Sequence, residues 1–108
     1  MEKNITKELL EDILKEEIKK VGILHNDNML LYADYHSLGF KDINIYELNN
    51  KIVDWIEQKG FWIRTVSWKQ YELVDLRMGI EVYECSTDKR INSSTMCAEW
   101  IFKNIKEL

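Results

Sequence analysis

The sequence predicts an α+β domain, an α/β/α sandwich on a three-stranded antiparallel sheet, four-stranded if one short early segment joins it. Three observations carry this. Apolar residues recur at helical spacing near the start, in the middle and at the end of the chain. Between the second and third of those segments lie three short stretches rich in β-branched and aromatic residues. The first of these stretches is apolar on both faces, which marks a sheet covered twice. The expected order is α-(β)-α-β-β-β-α. At 108 residues the chain is the size of one domain, with no second module.

The first helix is expected over Ile5 to Val21, within a helical segment spanning residues 1–22. Ile5, Leu9, Leu10, Ile13, Leu14, Ile18 and Val21 form its apolar stripe, and Gly22 stands where a left-handed cap belongs. From Ile23 to Asp42 the periodicity breaks down. His25-Asn26-Asp27-Asn28 reads as a turn, Met29 to Tyr32 as a short strand, and the surroundings of Gly39 as loop. A core unit of order αβββα is expected over residues 43–108. Its helix opens on Asn44, a good N-cap, with Glu47 in the reciprocal capping position. Ile45, Leu48, Ile52, Val53 and Ile56 make its stripe, and Gly60 ends it.

FWIRTVSW, Phe61 to Trp68, follows directly as a strand. Tyr71 to Asp75 and Gly79 to Cys85 complete an antiparallel meander with short connections. Ser86 to Ser94 reads as polar loop, and Ser93 to Thr95 cap a final helix with Cys97, Trp100, Ile101, Ile105 and Leu108 on its stripe. Alternation sets Phe61, Ile63 and Thr65 on one side of the first strand and Trp62, Arg64, Val66 and Trp68 on the other. Both sides are apolar, so the N-terminal helix is expected to lie as a lid over the second face.

Fifteen basic against nineteen acidic residues give a formal net charge of -4. With a pI near 5.2, the chain lacks the basic patch of a nucleic-acid binder, whose pI commonly exceeds about 9. The αβββα order is shared with double-stranded RNA-binding domains, which grip phosphates with lysines at the start of the last helix. Here that helix opens SSTMCAE, with no basic residue, so no nucleic-acid partner is expected. No stretch approaches the ~18 apolar residues of a membrane span. The start MEKNITKELL has no apolar run of a secretory leader. Cys85 and Cys97 fit no metal or redox motif and are expected reduced, in a cytoplasmic setting.

His25, Asp27, Asp34 and His36 are the one plausible zinc-type ligand set, but their H-x-D and D-x-H spacings are not specific and surface loops have the same composition, so no metal is assigned. There is no nucleophile elbow, phosphate-cradling glycine loop or zincin motif. The expectation is therefore no catalytic residues, no cofactor and no enzyme activity. Trp62, Arg64, Trp68, Tyr71 and Arg77 form the one group with the composition of an interaction hot spot or a stacking pocket. The competing reading places both tryptophans in the core beneath the first helix.

Residues 42 to 105 resemble the phage ABA sandwich domain family. The likeness rests on the helix NIYELNNKIVDWIEQKG running through glycine into FWIRTVSW, on the strand GIEVYEC, and on the terminal helix SSTMCAEWIFKNI with its Cys-Ala pair. Two departures stand out: Trp100 and Phe102 replace small residues of the terminal helix, and the Ile5 to Val21 helix replaces a tryptophan-rich N-terminal segment. The resemblance implies an α/β/α sandwich of bacteriophage or prophage origin, in the cytoplasm of an infected or lysogenic bacterium, with no catalytic residues to carry over. The function it suggests is non-enzymatic binding of a host protein, at its sharpest as an anti-defence inhibitor. The alternatives are a sponge or sensor for a nucleotide-like small ligand, with Arg64, Arg77 or Arg90 on its phosphates, and a virion assembly protein that would form a homo-oligomer.

Overall fold

The computed structural model describes residues 5–25, 29–34, 41–87 and 90–105. In chain order its elements are α1 (Lys7–Leu14), β1 (Ile18–His25), β2 (Met29–Asp34), β3 (Lys41–Asn44), α2 (Ile45–Gln58), β4 (Phe61–Ser67), β5 (Gln70–Asp75), β6 (Ile80–Ser86) and α3 (Arg90–Asn104). The class is α+β, with two antiparallel three-stranded sheets, β1-β2-β3 and β4-β5-β6, layered with the helices in the manner of a sandwich.

The N-terminal third differs from the sequence expectation. The first helix ends at Leu14 instead of running to Val21, because Lys15 turns left-handed at φ 59° and returns its N–H to the Glu11 carbonyl. Ile18 then donates its N–H to Glu11 Oε2 at 3.2 Å and begins β1. Ile18 and Val21 keep to the helical stripe, yet with Ile23 they are β-branched residues suited to a strand. Gly22 is not a helix cap. It lies where the register of β1 against β2 shifts, between Val21 and Leu24. The loop before β1 is fastened to its sheet by Glu16, which accepts from the Tyr32 hydroxyl and from Lys41 Nζ, both at 3.3 Å.

Met29 to Tyr32 is a strand, as expected, and it is the middle strand of a separate sheet. The expected turn at Asn26–Asn28 and the loop around Gly39 lie outside the described residues. β3 passes straight into α2 through Asn44, whose side chain accepts from the Tyr46 N–H at 2.8 Å, the cap the sequence predicts. Trp55 joins Ile45, Leu48, Ile52 and Ile56 on the buried stripe of α2, while Val53 is only half-buried. The Trp55 indole N–H donates to Asp12 Oδ2 at 2.6 Å, clasping α1 to α2. Gly60, at φ 90°, supplies the left-handed turn into β4.

β4, β5 and β6 form the meander the sequence predicts. Phe61, Ile63 and Leu73 are buried on its inner face against α2 and α3, with Tyr71, Val82, Tyr83 and Cys85 packed partly beside them. α3 begins at Arg90, earlier than its Ser-Thr run suggests. Ser93, Ser94, Thr95, Cys97, Ala98 and Ile101 are all buried, and such small side chains let α3 approach α2 closely. Neither cysteine is in a disulfide.

The expected lid is absent. α1 packs on β1, α2 and α3, and among the described residues no helix covers the outer face of β4–β6, where Trp62 is 47% and Val66 52% exposed. Among the described residues no helix is long and apolar enough to cross a membrane.

Candidate binding face of the second sheet

Strand pairing fixes what the open face carries. On β4 the outward positions are Trp62, Arg64 and Val66. Trp62 stands opposite Val74, which stands opposite Glu81, and Arg64 stands opposite Glu72, which stands opposite Glu84. Residues directly paired across antiparallel strands share a face, so one row is mainly apolar and the next is ionic. The two rows meet at Glu81, brought toward Glu72 and Glu84 by the register shift of β6 after Leu73.

Arg64 donates from Nε to Glu72 Oε1 at 3.0 Å and from Nη2 to the same oxygen. That guanidinium holds the Glu72 carboxyl below its ordinary range. Glu81 moves the other way. Its carboxyl is raised by its hydrogen bond to Glu72, by burial and by the charges of Glu72 and Glu84, so within the hydrogen-bonded pair Glu81 takes up a proton before Glu72. Oxygens of Glu72, Glu81 and Glu84 lie within 4.8 Å of one another, and this is the only such cluster among the described residues. Oxygen donors of this kind suit a hard cation, but Arg64 already neutralises one of the three.

The five residues singled out from sequence do not converge. Trp62 and Arg64 share the outer face of β4. Trp68 lies just past the end of that strand, 82% exposed, with Lys69 Nζ 3.9 Å from its ring centroid. Tyr71 pairs with Thr65 and Cys85 and turns inward, packing against the core. Arg77 closes the β5–β6 turn: its backbone N–H and Nε reach Asp75 Oδ1 at 2.9 and 3.1 Å, and Nη2 reaches Oδ2 at 3.1 Å. Its guanidinium carbon lies 5.3 Å from the Phe61 ring centroid, and it holds the Asp75 carboxyl below its usual range. Tyr71 and Arg77 therefore do not stand on the outer face beside Trp62 and Arg64.

Glu72, Glu81 and Glu84 are functional candidates that come only from strand pairing, because they are spread over two strands instead of one motif. The alternation within QYELVD and IEVYEC was the available signal. Of the His25, Asp27, Asp34 and His36 set, Asp27 and His36 lie outside the described residues. The backbones of His25 and Asp34 pair with Met29 and Ile18, at opposite ends of the β1–β2 hairpin. At ~3.3 Å per residue that is about 16 Å, too far for one ion. No family model, curated protein or solved structure matches the chain.

Proposed function

We propose that this chain is a non-enzymatic binding protein that docks on a partner protein through the outer face of β4–β6. The observation that carries the reading is the exposure of Trp62, Val66 and Trp68 on and beside one sheet face, in a chain whose core has ample apolar residues without them. Large rigid aromatics flanked by arginine and carboxylates are the composition of interface anchors. The ionic row sets Glu72 and Glu84 against one guanidinium, and Glu81 of the neighbouring row adds a third carboxylate, so the complementary partner presents an apolar patch flanked by lysine or arginine. The resemblance of residues 42–105 to the phage ABA sandwich family supports a phage or prophage setting. The partner is then a host protein, and the sharpest form of the role is an anti-defence inhibitor acting in the host cytoplasm.

The test is affinity capture from bacterial host lysate with wild type, Trp62→Ser and Trp68→Ala side by side, followed by titration with the purified captured protein. The reading expects one partner whose binding falls at least tenfold in each variant and weakens with added salt. A partner bound equally by all three proteins, or no partner, overturns it.

A further inference from the structure

On the other side of the molecule, a groove of about 370 Å³ runs between α3 and β6, with the start of α1 at its rim. Its apolar wall is the stacked pair Tyr83 and Trp100, ring centroids 5.8 Å apart, continued by the thioether of Met96. Two opposite charges, Glu99 and Lys103, complete it one helical turn apart. The Glu99 carboxylate is held in place: its Oε1 accepts from the Thr6 hydroxyl at 2.8 Å and from the Thr6 N–H at 3.4 Å. The same hydroxyl accepts from the Leu9 N–H at the α1 N-cap, so Thr6 is a positioning residue for Glu99. Among the described residues, Oε2 of Glu99 and Nζ of Lys103 make no hydrogen bond or ion pair.

We infer that this groove is a binding site for a free aromatic amino acid in its zwitterionic form. The chemistry of the lining selects that class. An α-ammonium group answers the fixed carboxylate of Glu99, and an α-carboxylate answers the Lys103 ammonium. The two charged groups of a zwitterion lie a few ångströms apart, which suits partners about 5.4 Å apart along a helix. A planar side chain then lies along Trp100 and Tyr83, gaining aromatic contact as well as burial. The volume lies in the lower part of the ~300–1,000 Å³ range of small-ligand pockets. A nucleotide fits less well, since its several negative charges would face a carboxylate with one lysine to offset them. The site is separate from the outer sheet face and does not rest on the docking role proposed for it.

Isothermal titration calorimetry with L-tryptophan and L-phenylalanine tests the inference. Tryptamine lacks the carboxylate, indole-3-propionate lacks the ammonium, and guanosine monophosphate stands for the nucleotide class. Saturable one-to-one binding below about 1 mM is expected for the amino acids. Tryptamine and indole-3-propionate should each bind at least tenfold more weakly. Lys103→Met, an exposed position, should weaken L-tryptophan at least tenfold and leave tryptamine unchanged. Glu99→Gln should do the reverse, weakening L-tryptophan and leaving indole-3-propionate unchanged. Should Glu99→Gln loosen α1 and fail to fold, the Lys103→Met comparison decides alone. No saturable heat with either amino acid, equal affinity for tryptamine, or tighter binding of the nucleotide overturns the inference.

Discussion

Phe61 and Trp68 begin and follow the same strand, and replacing each by alanine tests which face of it is buried. Phe61 is fully buried on the inner face, beneath α2 and beside Arg77. Phe61→Ala removes its burial and leaves a cavity, together about 3–5 kcal/mol. That is a large part of the ~5–15 kcal/mol available to a domain of this size. Trp68 is 82% exposed. The remaining fifth of its ~250 Å² is about 45 Å², and at ~25 cal/mol/Å² Trp68→Ala costs about 1 kcal/mol. For a domain of this length 1 kcal/mol is roughly 4–8 °C in Tm. Urea unfolding followed by far-UV circular dichroism reads both variants on one scale, provided the m-value is unchanged. The expected result is a loss for Phe61→Ala at least three times that for Trp68→Ala. Comparable losses would show that Trp68 is covered in solution and would refute the open face.

Gly60→Ala should destabilise by about 1–2 kcal/mol, measured by urea unfolding, because φ 90° is hostile to an L side chain. The new Cβ would meet only the Arg77 side chain at 3.6 Å, an ordinary contact, so backbone strain is the whole effect. Trp55→Phe should lower stability by about 1–3 kcal/mol, read as a fall in the urea midpoint, since it leaves the Asp12 carboxylate without its indole donor. Glu81→Gln should raise Tm at pH 7. The Glu81 carboxyl is raised in the folded state, so its ionised form opposes folding above that pKa, and the gain should vanish as pH falls below the ordinary value of 4.5. Asp75 has the opposite sign. Its carboxyl is depressed by Arg77, so its contribution is present above the ordinary value of 3.8 and is lost as pH falls through the folded pKa. Asp75→Asn should accordingly flatten the acid limb of a Tm-against-pH curve.

Much of the second half of the fold was legible because its signals are local. Asn44 caps α2, Gly60 turns the chain, and the alternation of Phe61 to Val66 sorts one face from the other. The first half was not, because Ile18 and Val21 fit both a helical stripe and a strand. The choice falls to Lys15, which turns left-handed, and to Glu11, whose carboxylate takes the Ile18 N–H. Neither is visible as a pattern in sequence. The lid depends on the same choice: a helix running to Val21 would be long enough to cover a sheet, and the helix that ends at Leu14 sits among β1, α2 and α3 instead.

At the candidate face, Trp62, Arg64 and Trp68 were readable as one composition, since all lie on or beside one strand. The roles of Tyr71 and Arg77 depend on which way a paired strand faces and on a turn closed by Asp75, both properties of the assembled sheet. The trio of Glu72, Glu81 and Glu84 forms only because β6 shifts register after Leu73.

The outer face of β4–β6, exposed in the free protein, is the surface proposed to dock a partner. Hydroxyl-radical footprinting read by mass spectrometry addresses it directly, because each of the four tryptophans reports separately. In the free protein Trp68 should oxidise fastest and Trp62 next, while Trp55, 4% exposed, stays protected. Adding the captured partner should protect Trp62 and Trp68 together. Free protein in which both are as protected as Trp55 would mean the face is covered, and a partner that leaves both reactive would mean that it docks elsewhere.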